Sequence, residues 1–247
     1  MKDKFLKKII GLFGYKLVEK NLIKNTRDVS KYTNLNLKNL IENYIKRHGI
    51  SYLIQIGAND GKRFDEINYF IKKYKIKSLL VEPIENYFQK LKENYKNLDF
   101  IEFENSAISV DNELSYLFKV KEKYLHSYDD HVNGLASFDK NHLIKHGVKK
   151  HHIENTKINS ISIKELINKY KINNLDLLFV DAEGYDGKII YDFFKNSDLK
   201  PIIIFEFIHI ENNLFKKLLE LIVNKKYYFF KVEENLICYP QNKKFII

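Results

Sequence analysis

Short apolar runs that alternate with amphipathic segments constrain the fold of this 247-residue chain more than any other feature. Strands alternating with helices in this way form a parallel sheet that helices cover on both faces. We predict a doubly wound, Rossmann-like α/β fold with a seven-stranded, mostly parallel sheet. The predicted strands are Tyr52–Ile56, Ser78–Val81, Phe100–Phe103, Leu175–Val180, Ile202–Phe207, Tyr227–Val232 and Leu236–Tyr239. The predicted helices between them span residues 64–74, 84–96, 162–171, 186–196 and 212–224.

The alternation divides the chain into regions. Residues 1–48 are predicted to be an N-terminal helical region, with helices at 3–24 and 36–48, and residues 49–247 to be one α/β domain. Residues 111–159 break the pattern. There we expect a weak strand pair in ELSYLFKV and then a long irregular polar segment, which forms a lid-like insertion.

Composition excludes several classes of protein. The single cysteine, Cys238, excludes an intramolecular disulfide and a multi-cysteine zinc site, and no run approaches the roughly 18 apolar residues of a membrane span. We therefore expect a cytoplasmic protein. The net charge of +10 comes from scattered lysines and predicts a solvated basic surface rather than a nucleic-acid partner. The helix at residues 3–24 either contacts the inner face of a membrane peripherally or packs on its own domain or a partner subunit.

The segment YLIQIGANDG, residues 52–61, joins the first predicted strand to a loop of small and short polar residues. In a doubly wound sheet the ligand lies beyond the carboxyl ends of the strands, where the first strand turns into its helix. Glycines let the backbone approach a ligand closely, and Gly57 and Gly61 fit that role. Asn59 and Asp60 add short polar groups. The loop is predicted to bind a nucleotide-type ligand.

A glutamate at the end of the second predicted strand refines this prediction. Glu82 follows the apolar run LLV, and an acid at this point accepts hydrogen bonds from the two ribose hydroxyls of an adenosine. The dinucleotide fingerprint G-x-G-x-x-G is absent, and the negatively charged Asp60 would be unfavourable beside a diphosphate. S-adenosylmethionine (SAM) has no phosphate and carries positive charge. The carboxylates therefore favour SAM as the cofactor.

These motifs resemble those of the FkbM family of class I SAM-dependent methyltransferases. The resemblance runs from about residue 53 to residue 210, through IGANDG, VEPIENYFQKLKENY, ENSAIS, GLASFDKNHL, LDLLFVDAEGYDGKII and PIIIFEFIHI. A GAN-x-G loop followed by D-x-E-G-Y-D is its most specific part. It implies the class I methyltransferase type of sheet and SAM as cofactor. Family members usually have D-x-G-A-N-x-G, whereas this chain has Gln55 in place of the acid.

The resemblance also implies which residues hold the cofactor. They are Gly57, Ala58, Asn59, Gly61, Glu82, Ser106, Ala107 and Asp181. The glycine loop would line the methionine side, Glu82 would bind the ribose, and Ser106 with Ala107 would lie near the adenine.

Acidic residues at two further strand ends are candidates for the chemistry. Asp181, Glu183 and Asp186 follow the strand LLFV, and Glu206 and His209 lie at the end of IIIFEF. Attack by a hydroxyl requires a general base, and crowded carboxylates require a compensating cation or proton. We predict Asp181, His209 and Glu183 as catalytic residues, with Asp181 nearest the reacting groups. Strand alternation predicts that Glu206 and His209 point to different faces.

The insertion supplies candidates for contact with the acceptor. Ser137, His142 and His131 are the candidates there, although Ser137 could instead cap a helix that begins at Asp139. The predicted substrate-binding residues are Ser137, His142, Asp186 and Glu206. Most of the chain's histidines lie in this insertion, but H-x-x-x-x-H and H-H spacings without a supporting helix face are weak metal signals. We predict no metal site, while a divalent metal remains compatible with the acids.

The predicted function is SAM-dependent O-methylation of a hydroxyl on a sugar or glycan precursor, as the resemblance suggests, for a surface polysaccharide or a secondary metabolite. The expected partner is a small-molecule or glycan acceptor. The alternatives are a methyltransferase for nucleic acid or another small molecule, a nicotinamide-dependent oxidoreductase, and a non-catalytic SAM-binding domain. No N-P-P-Y-type tetrapeptide follows the fourth strand, which argues against a flipped-base substrate.

Overall fold

The structure is a computed structural model that describes residues 36–63, 65–110 and 116–242. The helix predicted at residues 3–24, with its expected membrane or subunit contact, lies outside the described residues. Within the described ranges, no helix combines the length and apolar character needed to cross a membrane.

Helices and strands alternate along the described chain. The strands are β1 (Tyr52–Ile56), β2 (Lys77–Val81), β3 (Ile101–Glu104), β4 (Ala107–Ile108), β5 (Tyr116–Val120), β6 (Ala136–Ser137), β7 (Ile153–Lys157), β8 (Ser160–Ile161), β9 (Leu177–Val180), β10 (Ile202–Glu206), β11 (Tyr227–Val232) and β12 (Asn235–Pro240). The α-helices are α1 (Leu37–His48), α2 (Asn68–Tyr74), α3 (Glu85–Tyr95), α4 (Asp130–Gly134), α5 (Lys140–Lys145), α6 (Ile163–Lys169), α7 (Asp186–Asn196) and α8 (Asn212–Asn224). Two 3₁₀ turns span Glu122–Ser127 and Lys150–His152.

Seven strands form the central sheet in the order β11-β12-β10-β9-β1-β2-β3. β12 is antiparallel to both of its neighbours, and the other pairs in the sheet are parallel. This confirms the predicted doubly wound, mostly parallel sheet. Strand order reverses between β1 and β9, so the loops after these strands diverge and leave a crevice at their carboxyl ends.

Side chains on the two faces of the sheet form two separate cores. Ile54, Leu178 and Ile203 pack on one face against α6, α7 and α8. Their chain neighbours Leu53 and Leu177 pack on the opposite face against α1, α2 and α3. Because successive residues of a strand point to opposite faces, strands covered on both sides must be apolar at nearly every position. This requirement explains the runs LLFV and IIIF, in which every residue is buried.

The insertion between β3 and β9 is more regular than expected. β5 pairs antiparallel with both β6 and β7, and the short strands β4 and β8 pair in parallel. The prediction of a long irregular segment is therefore wrong, and of ELSYLFKV the structure describes a single strand, β5. The insertion has a small core of its own, which contains Val120, Leu143, Val148 and Ile153. The pattern was hard to recognise because β6 is only two residues long.

Hydrogen bonds attach the insertion to the carboxyl edge of the central sheet. The Tyr87 hydroxyl on α3 donates to the Asn133 carbonyl at 2.6 Å, and the Ser137 hydroxyl donates to the Glu183 carbonyl at 2.8 Å. The Asn59 side chain donates to the carbonyl of Gly134 at 3.4 Å. The insertion therefore covers the crevice and contacts helix α3 and two of the loops that surround it.

Candidate active site

The loop after β1 makes a tight turn that requires glycine at Gly57. Its φ is +83°, and a Cβ atom at this position would lie 1.8 Å from the carbonyl oxygen of Asp181. The N–H groups of Gly57 and Ala58 both donate to the Val81 carbonyl at 3.0 Å. The turn therefore presses against the ends of β2 and β9, and only a residue without a side chain fits there.

Glu82 is buried beneath this turn. One of its carboxylate oxygens accepts the N–H of Asn59 at 2.9 Å, and the other accepts the N–H of Ile84 at 2.8 Å. Burial raises the pKa of the Glu82 carboxyl to about 7, although the two backbone hydrogen bonds act in the opposite direction. Each oxygen retains a second lone pair, so the carboxylate can still accept two hydroxyl groups from a ligand.

A cavity of about 590 Å³ opens at the carboxyl edge of the sheet, a volume within the usual range for small-molecule sites. The predicted site residues that line it are Gly57, Ala58, Asn59, Glu82, Ser106, Ala107, Asp181, Glu183, Glu206 and His209. Gly61 does not line it. A Cβ atom on Gly61 would lie 2.6 Å from atoms of Leu91 and Tyr95, so this glycine permits close packing against α3 rather than contact with a ligand.

Two acceptor atoms at the β1 end of the cavity lack hydrogen-bond partners among the residues that the structure describes. Gln55 is 2% exposed, and its Oε1 atom has no partner in the described part of the chain. Asp65 accepts the N–H groups of Ile67 and Asn68 through Oδ1, whereas its buried Oδ2 has no partner among those residues either. Both side chains line the cavity. A bound cationic donor would satisfy both atoms, which would otherwise carry a desolvation penalty.

Sequence reasoning did not identify Asp65. Burial raises the pKa of its carboxyl, although the two backbone N–H groups and the nearby Gln55 side chain act in the opposite direction. The available signal was the glutamine at position 55, since loss of an acid from a motif invites a search for another acid nearby in the same loop.

Three further carboxylates, those of Asp181, Glu183 and Glu206, line the cavity. Burial raises the pKa of Asp181 well above its ordinary value, and repulsion from Glu183 and Glu206 raises it further. Burial also raises the pKa of Glu183 to about 7 and that of Glu206 to about 8. A bound cation would lower all three values, because it stabilises the ionised form of each carboxyl group.

Three of the predicted substrate-binding residues lie outside the cavity lining. Asp186 is 1% exposed, and its carboxylate accepts the N–H groups of Ala182 and Gly184 at 3.1 Å each. Ser137 donates to the Glu183 carbonyl and also accepts the N–H of Asp139 at 3.2 Å, while the N-cap residue of α5 is Asp139 itself. None of Asp186, Ser137 and His142 lines the cavity. Their hydrogen bonds instead fix the loop that presents Glu183.

Glu206 and His209 lie on the same side of the sheet, so the prediction that they point to different faces is wrong. β10 ends at Glu206, and a turn closed by a hydrogen bond from Ile210 N–H to the Phe207 carbonyl brings the histidine back. The two side chains approach to 3.8 Å. Strand alternation applies only within a strand, and β10 ends at Glu206, three residues before His209.

Histidines of the insertion approach the same carboxylates. His142 contacts Glu183, with 3.2 Å between Nε2 and Oε2, and His146 and His131 line the cavity. Burial lowers the pKa of His142, His146 and His209. Sequence reasoning missed His146, although its position four residues after His142 places both on one helix face.

The sheet order, the glycine turn after β1 and the buried acid after β2 define a Rossmann-like domain of the class I methyltransferase type. Residues 55–230, well over half of the chain, match the methyltransferase FkbM domain. The protein therefore belongs to the FkbM methyltransferase family and is a SAM-dependent methyltransferase. Among curated proteins, none matches its sequence.

Several solved structures are similar to this chain. The METTL16 MTase domain is 12% identical, with 85% of this chain and 68% of that chain covered and a TM-score of 0.48. An O-methyltransferase from Bacillus cereus in complex with SAH (S-adenosylhomocysteine) is 12% identical, with coverages of 94% and 95% and a TM-score of 0.44. A putative caffeoyl-CoA O-methyltransferase from Staphylococcus aureus is 12% identical, with coverages of 96% and 97% and a TM-score of 0.45.

Proposed function

We propose that the protein methylates a hydroxyl group of a sugar or glycan precursor, for a surface polysaccharide or a secondary metabolite. The observation that carries this proposal is that Asp181, Glu183 and Glu206 line one cavity together at the carboxyl edge of the sheet. A hydroxyl must lose its proton as it attacks, and a base with a pKa near neutrality suits this task. Carboxylates also accept hydrogen bonds from the neighbouring hydroxyls of a sugar.

The residues of the cavity fit SAM. When bound, SAM supplies a methyl group on a positively charged sulfur. The backbone at Gly57 permits close approach, and we assign the ribose hydroxyls to the Glu82 carboxylate. Ser106 and Ala107 line the same cavity and are assigned to the adenine side. The catalytic domain is proposed to comprise residues 49–247.

The buried acceptor atoms Gln55 Oε1 and Asp65 Oδ2 are assigned to the ammonium group of the methionine portion. An ammonium group has three N–H donors and no acceptor, so it complements two buried acceptor oxygens. The charge that the family motif usually places at position 55 is then supplied by Asp65. The departure at Gln55 is therefore compatible with cofactor binding.

Asp181 is assigned as the general base. Its carbonyl oxygen lies against the Gly57 turn, and the residue lines the cavity beside Glu183 and Glu206. Positive charge in the cavity lowers its pKa, so the carboxylate becomes able to accept a proton when the cofactor site is loaded. Bound SAM would supply the methyl group to the acceptor oxygen, and Asp181 would accept the hydroxyl proton.

An acceptor panel tests the function. The full-length protein is incubated with isotopically labelled SAM and free sugars, nucleotide-activated sugars, catechols or a short RNA, and products are identified by mass spectrometry. We expect transfer to a sugar hydroxyl, reduced about a hundredfold or more in Asp181→Asn with SAH affinity retained. The control variant is Asp192→Asn, on the partly exposed surface of α7. Transfer only to RNA or catechols would refute the sugar assignment, and full turnover by Asp181→Asn would refute the assigned base.

A second experiment tests the ammonium assignment by calorimetry. SAH contains the amino-acid portion, whereas 5′-methylthioadenosine lacks it. Loss of a charge-assisted hydrogen bond predicts that Asp65→Asn weakens SAH binding about tenfold or more. Affinity for 5′-methylthioadenosine should stay the same, and equal weakening of both ligands would contradict the assignment.

A further inference from the structure

Three histidines from two distant parts of the chain meet at one wall of the cavity. His142 and His146 lie one helical turn apart at the end of α5, and His209 follows β10. One possible ligand nitrogen from each ring lies within 4.8 Å of the other two. The ring centroids are separated by 4.6, 4.7 and 5.2 Å. Small rotations of the side chains would bring the three nitrogens around a single ion.

Local backbone geometry allows this meeting. The loop after β9 passes directly beneath the rings at Gly184, whose φ is +89°. A Cβ atom on Gly184 would lie 3.3 Å from Nδ1 of His142 and 3.7 Å from Cβ of His209. The backbone at Gly184 therefore packs closely against both histidines, and its positive φ favours glycine.

Carboxylates accompany two of the three histidines. Glu183 Oε2 lies 3.2 Å from Nε2 of His142, and Glu206 Oε2 lies 3.8 Å from Nε2 of His209. Only the Glu183–His142 contact is of hydrogen-bond length. Metal-binding histidines usually have such a partner, because a carboxylate that accepts one ring N–H orients the imidazole and makes its other nitrogen a better ligand.

We propose that His142, His146 and His209 bind a divalent transition-metal ion of the zinc class. Imidazole nitrogens suit zinc, and three histidine ligands leave a fourth coordination position open. His146 and His209 line the cavity, so a bound ion would lie at its wall. This proposal replaces the sequence-based expectation that the chain has no metal site, and it makes His209 a ligand rather than a base.

The role of the ion follows from its position. A bound zinc-class ion lowers the pKa of a coordinated oxygen ligand. An acceptor hydroxyl at the open position would therefore give up its proton to Asp181 more easily. This role rests on the proposed function, whereas metal binding itself does not.

Zinc titration of the full-length protein tests the site. After dialysis against a chelator, the protein is titrated calorimetrically with Zn²⁺, and Co²⁺ is used as a spectroscopic substitute whose visible absorption reports its coordination. We expect one equivalent of Zn²⁺ to bind. Either His146→Ala or His209→Ala should weaken binding by more than about tenfold, because loss of a residue that only supports a ligand already lowers metal affinity about tenfold or more. His151→Ala is the matched control, because His151 is an exposed histidine beside another histidine in the same insertion.

The possible outcomes separate this inference from the proposed function. Three results would each overturn the metal site. The first is unchanged zinc affinity in both His146→Ala and His209→Ala, the second is loss of affinity in His151→Ala instead, and the third is no zinc binding by the wild type. SAH affinity and thermal unfolding of each variant show whether the fold and cofactor site persist. Zinc binding that depends on the cluster, together with failure to methylate any sugar, would refute the sugar assignment and leave the metal site standing.

Discussion

Replacing Glu82 by glutamine should change how the stability of the ligand-free protein depends on pH. The carboxyl group is 5% exposed, and burial raises its pKa from 4.5 to about 7. Between about pH 4.5 and about pH 7, the folded wild type therefore holds a proton on Glu82 that the unfolded chain has already released. The contribution of protonated Glu82 to the stability of the folded state is full below about pH 4.5 and is lost as the pH rises through about 7. The variant Glu82→Gln has no such proton.

The magnitude follows from the two pKa values. Ionisation of Glu82 in the folded state costs about 3.4 kcal/mol relative to the unfolded chain. Integration from about pH 5 to about pH 8.5 gives a loss of about 2.5 kcal/mol in the wild type that the variant avoids. One backbone N–H will face the introduced amide nitrogen in the variant, with a constant penalty of about 1–3 kcal/mol. That penalty shifts the difference between the proteins at every pH but not its slope.

Urea unfolding at several pH values measures this difference. The free energy of unfolding of Glu82→Gln minus that of the wild type should rise by about 2.5 kcal/mol between about pH 5 and about pH 8.5. Glu93→Gln, which replaces an exposed glutamate of α3, is the matched control. A slope for Glu82→Gln no larger than that of the control would refute the reasoning, because the buried carboxyl would then cost nothing to ionise.

Three further substitutions or modifications give sharp expectations. Gly57→Ala should prevent stable folding or abolish SAH binding, because its Cβ would collide with the Asp181 carbonyl. The control is Gly49→Ala, where φ is a similar +70° but the space around the residue is open. This control should lower the free energy of unfolding by only about 1–3 kcal/mol, measured by thermal unfolding. Ser162→Ala should lower the unfolding free energy by about 1 kcal/mol in urea, because it removes the capping box of α6; no change would contradict the cap. Burial raises the pKa of the Cys238 thiol, so a thiol reagent should label it only in urea, and rapid labelling of the native protein would contradict its burial.

The central sheet was predictable because its signals are local and long. Helices α7 and α8 and strand β11 have the predicted bounds, since each is a continuous amphipathic or apolar run between polar breaks. The insertion was less predictable. β6 contributes two residues to a sheet whose pairing partners lie far apart in sequence, so no window of the chain contains its pattern.

The candidate site divides in the same way. The rule that ligands lie at the carboxyl ends of parallel strands was enough to predict that the loops of Gly57, Glu82 and Asp181 surround one cavity. The rule does not describe side chains that reach the edge through turns. His209 returns through a turn after β10, and His146 comes from the insertion, so their meeting depends on tertiary structure that no local periodicity encodes.

The attachment of the insertion to the sheet edge has a consequence for the pace of turnover. The contacts made by Asn133, Gly134 and Ser137 join the insertion to α3 and to two loops that frame the cofactor cavity. Each such bond contributes about 0.5–1.5 kcal/mol net. If spent cofactor leaves by the route that the insertion covers, these bonds must break in every cycle, and exchange of ligands rather than chemistry would then limit the rate.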